Sequence, residues 1–370
     1  MLTAQDETLL HQVAETIDNT PVTDHRFFDR TVVGMHAPDG QLALVTSFGV
    51  YKNNNVMDGF AMIQEGAKRQ FNHRYSRRLR PDVDGMVLGP LSIDILEPLK
   101  KLRSKLEKGD YPGSYDIIWT AALPPYEEPK HFLRKDGRIV TDHIRFDQFA
   151  TATGWIELEG RRTEFKDWFA WRDHSWGVRP GVGGFETVNN DPDPSAGMLA
   201  LYCWWLTEED GGLLQLQETG DGRRIYLDGH IDFRADPGKR AVRIMDLKHE
   251  ISFHPGTRLF DTVRVEATDT TGGLWVIEGQ NIGKPWLFKG SGYDNGYNDE
   301  RGLGVYRGEW LEEYDVYDMS DVEAAVLPDG RVIRPRHREQ ISRVTVNGRP
   351  GYAHFPLINS GRIPRYGLGM

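Results

Sequence analysis

Asp-Gly and Asn-Gly pairs recur from one end of the chain to the other, and they limit its fold more than any other feature. They stand at Pro38-Asp39-Gly40, Asp84-Gly85 and Asp136-Gly137, joined by Glu159-Gly160, in the first half. The second half carries Asp210-Gly211-Gly212, Asp221-Gly222, Asp228-Gly229, Pro328-Asp329-Gly330 and Asn347-Gly348. Such pairs supply the positive φ that tight hairpin turns need. After Pro21 the intervening segments alternate with period two or form short apolar runs, which predicts antiparallel sheet. Forty glycines and twenty prolines agree with a turn-rich, all-β chain.

At 370 residues the chain is too long for one ordinary core and suits two domains of about 150 to 200 residues. Hairpin-dense halves on either side of residue 180 suggest a first β domain over 21–180 and a second over 181–370. Pro180-Gly181-Val182-Gly183-Gly184 reads as the passage between them. Residues 1–20 read as an N-terminal helix, with Leu9, Val13 and Ile17 spaced by four and a Thr3-x-x-Asp6 capping pattern. A second, flanking helix is expected from Leu96 to Lys108, where Leu99, Leu102 and Leu106 recur at helical spacing before Gly109. The stretch Met198 to Leu206 is apolar on both faces and must be covered on both. Between Asn281 and Gly308 glycines alternate with Trp286, Phe288, Tyr293, Tyr297 and Tyr306, the composition of a lid or a mobile loop.

A net charge of −10 speaks against a nucleic-acid partner. The cluster Arg74, Arg77, Arg78 and Arg80 is then a solvated strand face or an anion contact. Cys203 is the one cysteine, which fits a reducing, cytoplasmic setting. No run of about eighteen apolar residues predicts a membrane span. The expected partner is a hydrophobic small molecule, and a homodimer is left open.

The chemistry-bearing stretch is Lys166 to Arg179, K-D-W-F-A-W-R-D-H-S-W-G-V-R, with Trp168, Trp171 and Trp176 around a charged run. In an extended strand Arg172, His174 and Trp176 share one face, while Asp173 and Ser175 share the other. Contiguous strand residues cannot converge on one point, so Asp-His-Ser is not a hydrolytic triad. The plain reading of His174 is a hydrogen-bonded core histidine. No H-x-H, H-E-x-x-H or C-x-x-C pattern predicts a metal, no dinucleotide fingerprint predicts a nucleotide, and no G-x-S-x-G marks a nucleophile. What remains is acid/base chemistry without cofactor or metal in an apolar cavity.

R-D-H-S-W-G with its aromatic approach and following Arg179 resembles the signature of the AttH/carotenoid 1,2-hydratase family. Gly49-Val50-Tyr51, Val56-Met57-Asp58, Ser76-Arg77, Gly89-Pro90-Leu91, Glu97-Pro98 and Asp147-Gln148 extend the likeness along most of the chain. The resemblance implies two lipocalin-like antiparallel β-barrel domains and a hydrophobic substrate. It places His174 and Trp176 on catalytic motif positions of the hydratases. Their Tyr-x-Asp is matched by Tyr202-Cys203-Trp204, so the tyrosine is kept and the acid is replaced.

The expectation is a cofactor-independent lyase that adds or removes water or a small aldehyde on an aromatic or terpenoid substrate. His174 would act as acid/base, oriented by Asp173 and Arg172, with Tyr202 as hydrogen-bonding partner. Trp168, Trp171, Trp176 and Trp204 would wall the pocket. Tyr51 is expected beside the substrate, and Asp58 or Glu218 would replace the missing acid. A pericyclase that only shapes its substrate and a non-catalytic carrier of apolar ligands are the alternatives.

Overall fold

A computed structural model describes residues 2–66, 68–83, 85–184, 197–293, 297–321, 323–333 and 337–369. Asp84 and part of the glycine-rich segment, including Gly296, lie outside the described residues.

The first sheet begins with four ten-residue strands: β1 (Phe27–His36), β2 (Leu42–Tyr51), β3 (Val56–Glu65) and β4 (Arg69–Arg78). Shorter ones follow, β5 (Met86–Leu88), β6 (Leu91–Glu97), β7 (Lys101–Leu106), β8 (Ser114–Ala121), β9 (Tyr126–Glu127) and β10 (His131–Lys135). Two long strands complete this half, β11 (Arg138–Leu158) and β12 (Arg161–Val178). The barrel strands are β13 (Met198–Thr207), β14 (Asp210–Thr219), β15 (Arg224–Phe233), β16 (Val242–Phe253), β17 (Phe260–Asp269) and β18 (Leu274–Asn281). Next come β19 (Trp310–Asp318), β20 (Ala325–Val326) and β21 (Val332–Ile333), before β22 (His337–Val346) and β23 (Arg349–Ser360).

Fifteen strands form one sheet in the order β21-β20-β19-β4-β3-β2-β1-β12-β11-β8-β7-β6-β5, with β9 and β10 also on β11. The other eight, β13 to β18 with β22 and β23, close into a barrel. The all-β architecture is present, as one closed eight-strand antiparallel barrel and one large sheet. Strands from residues 310–333 belong to the first sheet, so the chain returns to it after building most of the barrel.

The turns follow the local chemistry. Asp136-Gly137, Glu159-Gly160 and Asn347-Gly348 all have positive φ at both residues, as two-residue hairpins require. Asp228-Gly229 instead lies inside β15, where Gly229 lets Ile244 and Leu214 pack against the backbone.

Neither expected helix forms. Near the N-terminus only Ala4–Glu7 makes a 3₁₀ turn, with the Thr3 N–H donating to Asp6 Oδ2 at 2.6 Å. Leu9 is fully exposed and Val13 largely so, so the apolar stripe has no surface to pack on, and an isolated helix of that length is marginal. Leu96 to Lys108 is a β6–β7 hairpin instead. Leu102, Ser104 and Leu106 are buried in alternation, while Leu99 sits in the turn at φ 59°. A spacing of four satisfies period two as well as a helix, and Pro98 settles the choice.

The first sheet buries both of its faces over β1–β4. Val33, Leu44, Phe48, Ala61, Tyr115 and Ala170 fill its inner core. The opposite face, with Val45, Phe60, Phe149 and Trp171, packs on Trp204, Leu206 and Leu213 from the outside of the barrel. The glycine-rich segment expected to be a lid or mobile is a packed cover on that same outer face. Trp286, Leu287, Tyr297 and Leu303 are at most 2% exposed. Gly304 (φ 68°) lies flat on the Tyr51 ring, where a Cβ would approach to 2.5 Å.

Candidate functional site in the cleft between the two β units

β12 pairs with β1 and β11 in a register that sets Thr31, His174 and Phe146 in one row and Val32, Asp173 and Asp147 in the next. Successive rows point to opposite faces. Arg172, His174 and Trp176 thus lie on the inner side of the first sheet, and Asp173 on the side that meets the barrel.

His174 stands at the rim of the inner face, with its side chain 36% exposed. Its Nε2 donates to Asp29 Oδ1 at 2.7 Å. Phe146 and Trp176 meet its ring edge-on at 5.4 and 5.3 Å. Arg172 donates to Gln148 Oε1 at 2.8 Å, and burial pulls its pKa down to about 10. Trp168 stacks on Phe165 at 4.4 Å, away from these groups. His174 is therefore not oriented by Asp173 or Arg172, as the sequence had suggested.

On the other face the two β units enclose a polar cluster. Glu128 is 2% exposed and takes a bidentate pair from Arg145, Nε and Nη2 each at 2.9 Å. His131 Nε2 donates to it at 2.6 Å, and Gln215 of the barrel donates to Oε1. Burial opposes its charge, but Arg145 and these donors hold it well below the usual carboxylate range. Asp147, 1% exposed, lies beside it with no hydrogen-bond donor reaching either oxygen. Burial and the Glu128 charge push its pKa well up. The two carboxyl groups act on each other in opposite directions, Glu128 held low and Asp147 pushed high, so a proton taken up by the pair is favoured on Asp147.

Asp173 is next in the row. Burial raises its pKa against the opposing fields of Arg145, Arg179 and Arg30. Its carboxyl makes no hydrogen bond among the described residues, and it is only partly buried. Across the cleft Tyr202 accepts a 2.8 Å bond from Gln217 Nε2, and burial raises its pKa too. The charges of Arg145 and Glu128 both reach it. Tyr126 donates to Asp228 at 2.8 Å. The hydroxyl of Tyr226, Oε1 of Gln215, Nδ1 of His143 and Nε of Arg179 are buried there without partners. So many unmet polar atoms in one place mark a site built for a polar guest.

The remaining sequence-predicted residues divide among four places. Asp173 and Tyr202 both lie within the fields of Arg145 and Glu128. Trp171 and Trp204 stack face to face at 5.5 Å and both stack on His354, at 4.2 and 5.3 Å, filling the interface rather than lining a cavity. Tyr51 and Asp58 lie under the packed cover, where Gly304 N–H donates to Asp58 Oδ2 at 2.7 Å and burial raises the Asp58 pKa. Glu218 faces the barrel interior and pairs with His249 at 3.0 Å. Arg74, expected on a solvated strand face or at an anion contact, is 1% exposed and bound to Asp315 and Glu313.

Sequence reasoning did not single out Glu128, Arg145 or Arg30, and it quoted Asp147 only as part of the family likeness, with no role. A signal was present in β11, where His143, Arg145 and Asp147 share a face with the buried Phe149. Charges in register with an aromatic core position are buried charges.

A groove of about 1260 Å³ lies further along β12 and β13, lined by Phe169, Leu206, Glu209, Arg264, Glu278 and Arg349 among others. Charges on its walls pair with one another, as in Arg264 with Glu278 and Arg349 with Glu209, and none of the cleft groups enters it.

Among solved structures, an AttH-type protein of Nitrosomonas europaea has the same fold, with a TM-score of 0.54 at 12% identity over 91% of this chain and 93% of that one. Kievitone hydratase from Nectria haematococca aligns at a TM-score of 0.45 and 11% identity, covering 90% and 89%. CghA with Sch210972 aligns at 0.49 and 9%, covering 91% and 89%. The AttH-like resemblance of the sequence is thereby carried by the fold. No curated protein matches the sequence significantly. The model of a family of unknown function, DUF8625, matches residues 2–368.

Proposed function

The chain belongs to DUF8625, a family of unknown function, and we propose that it is a cofactor-independent lyase of the hydratase type. Its site is the cleft between the two β units, and its substrate is a hydrophobic small molecule. Asp173 is the group that gives and takes the proton, and Tyr202 positions the substrate across from it.

The observation that carries this reading is the state of Asp173. Its carboxyl borders the cleft, has no hydrogen bond among the described residues, and is driven toward the neutral acid by burial. A carboxyl whose pKa is raised by burial and which no hydrogen bond engages is suited to give and take a proton as a general acid. In the addition direction Asp173 would protonate an alkene carbon, water would bond to the electron-poor neighbouring carbon, and the water's surplus proton would return to the Asp173 carboxylate. Elimination is the same sequence reversed.

The test is mass spectrometry of phenolic, terpenoid and polyene compounds incubated with the protein, no cofactor added, with Asp173→Asn as control. Gain or loss of the mass of water, absent with the variant, is expected. Products of unchanged mass but altered retention would replace the lyase with a cyclase. Recovery of every compound intact, with some retained on the protein, would replace it with a carrier.

A further inference from the structure

Two arginines whose charges reach Asp173 form no salt bridge with an acid among the described residues. Arg30 is 3% exposed, yet its hydrogen bonds go to neutral oxygens, Nε to Ser47 Oγ at 2.7 Å and Nη1 to the Tyr293 hydroxyl at 2.8 Å. Arg179 donates from Nη2 to the same hydroxyl at 2.8 Å, and its Nε is buried without a partner. Neither makes a salt bridge among the described residues. Asp58 and Asp173 are the nearest acids whose fields reach Arg30, and burial disfavours the charged form of both.

A guanidinium as buried as Arg30 is expensive without a counter-ion, and no acid bonds it among the described residues; the half-buried Arg179 converges on the same phenol. The phenol oxygen has two lone pairs, and both are occupied. Aromatic faces hold the cations rigidly: Tyr293 lies under Arg30 at 4.8 Å and Phe28 under Arg179 at 4.7 Å. Nη2 of Arg30 and Nη1 of Arg179 make no hydrogen bond among the described residues. Two fixed forks with open N–H groups, next to a carboxyl with no hydrogen bond, match the planar oxygens of an organic acid.

We propose that Arg30, Arg179 and Tyr293 form a subsite for an anionic oxygen group, a carboxylate or ionised enol, on a substrate that is otherwise apolar. The substrate class is then a hydrophobic organic acid rather than a neutral hydrocarbon. This deepens the assignment of the cleft as the active site and rests on it. The acid group would anchor at the arginines and lay the reacting carbons against Asp173.

The experiment titrates fused-ring and terpenoid carboxylates, each beside its neutral carboxamide, into the wild-type protein and into Asp173→Asn, following tryptophan fluorescence. At least one carboxylate is expected to bind about tenfold or more tighter than its amide, the scale of one charge-assisted hydrogen bond. Arg179→Gln, which leaves Arg30 to hold the fold, should erase that preference with an unchanged melting temperature. Tyr293→Phe, which frees both arginines, should retain it. Equal binding of acid and amide, absence of binding by every acid, or a preference that survives Arg179→Gln would overturn the subsite. Full displacement of the acid by inorganic phosphate would reduce it to a free-anion site and overturn it as well. Binding is read separately from turnover, so an active Asp173→Asn enzyme would remove the acid/base role while leaving the subsite to stand or fall on the titration.

Discussion

Asp173 and His174 are neighbours on one strand, yet they face opposite sides of the first sheet: His174 meets Asp29 at 2.7 Å on the inner rim, while Asp173 joins Asp147 and the arginines in the cleft. The pleat makes the two residues members of different sites.

This separation is testable by single substitutions. Asp173→Asn should lower turnover by roughly 10²-fold or more, the scale of one acid/base group, and His174→Ala should stay within about tenfold of wild type. The check is steady-state kinetics on whichever compound the mass-spectrometric panel identifies, with circular dichroism to confirm both folds. The opposite ranking would move the chemistry to the inner face.

Asp147 should make stability fall as pH rises. Its pKa is raised in the folded state, so the native protein binds the proton more tightly than the unfolded chain does. The stabilisation is complete below the unfolded value near 3.8 and is lost progressively as pH climbs toward the folded value. Asp147→Asn keeps a donor to Glu128 and removes the titration. The variant should melt close to wild type at pH 4 and increasingly above it toward pH 9, as followed by thermal denaturation across that range.

The stack of Trp171, His354 and Trp204 ties the two β units together. Trp204→Ala empties a site that is 7% exposed and should destabilise the protein by about 3–5 kcal/mol. Denaturant unfolding followed by far-ultraviolet circular dichroism measures this directly. A loss under about 1 kcal/mol would show that the interface is held elsewhere.

Arg74 clamps β19 to β4 with Asp315 at 2.7 Å and Glu313 at 3.2 Å. Asp315→Ala leaves a cation that is 1% exposed with the longer Glu313 contact and the Gly290 carbonyl, at a cost of about 3 kcal/mol. Hydrogen exchange should show the loss first along β19. Uniform loosening across both units would contradict a local clamp.

The β architecture was legible because hairpin turns are written in two adjacent residues. Asp136-Gly137 and Asn347-Gly348 need no distant partner to adopt positive φ. Face assignment was legible too, since Asp173 and His174 must diverge in any extended strand. The helices failed for the converse reason: Leu9, Val13 and Ile17 spell a stripe, but whether a surface waits for that stripe is a tertiary fact. The site was half legible. Asp173 and Tyr202 were visible through the motif and its resemblance. Glu128 and Asp147 were not, because a buried acid looks like a solvated one until the facing barrel strand is known to supply Gln215 and the partner acid to share its proton.

The return of β19 to the edge of β4 has a consequence for how the chain acquires its structure. The Asp315 that neutralises Arg74 is 241 residues away, so during synthesis β4 must wait for the barrel to emerge before its open edge is paired. An unpaired ten-residue edge is a template for the wrong partner. Pairing across so long a stretch is also slow to find. The interval between making Arg78 and making Trp310 is thus when this protein is most exposed to aggregation, and a fragment ending at residue 180 would remain in that state permanently.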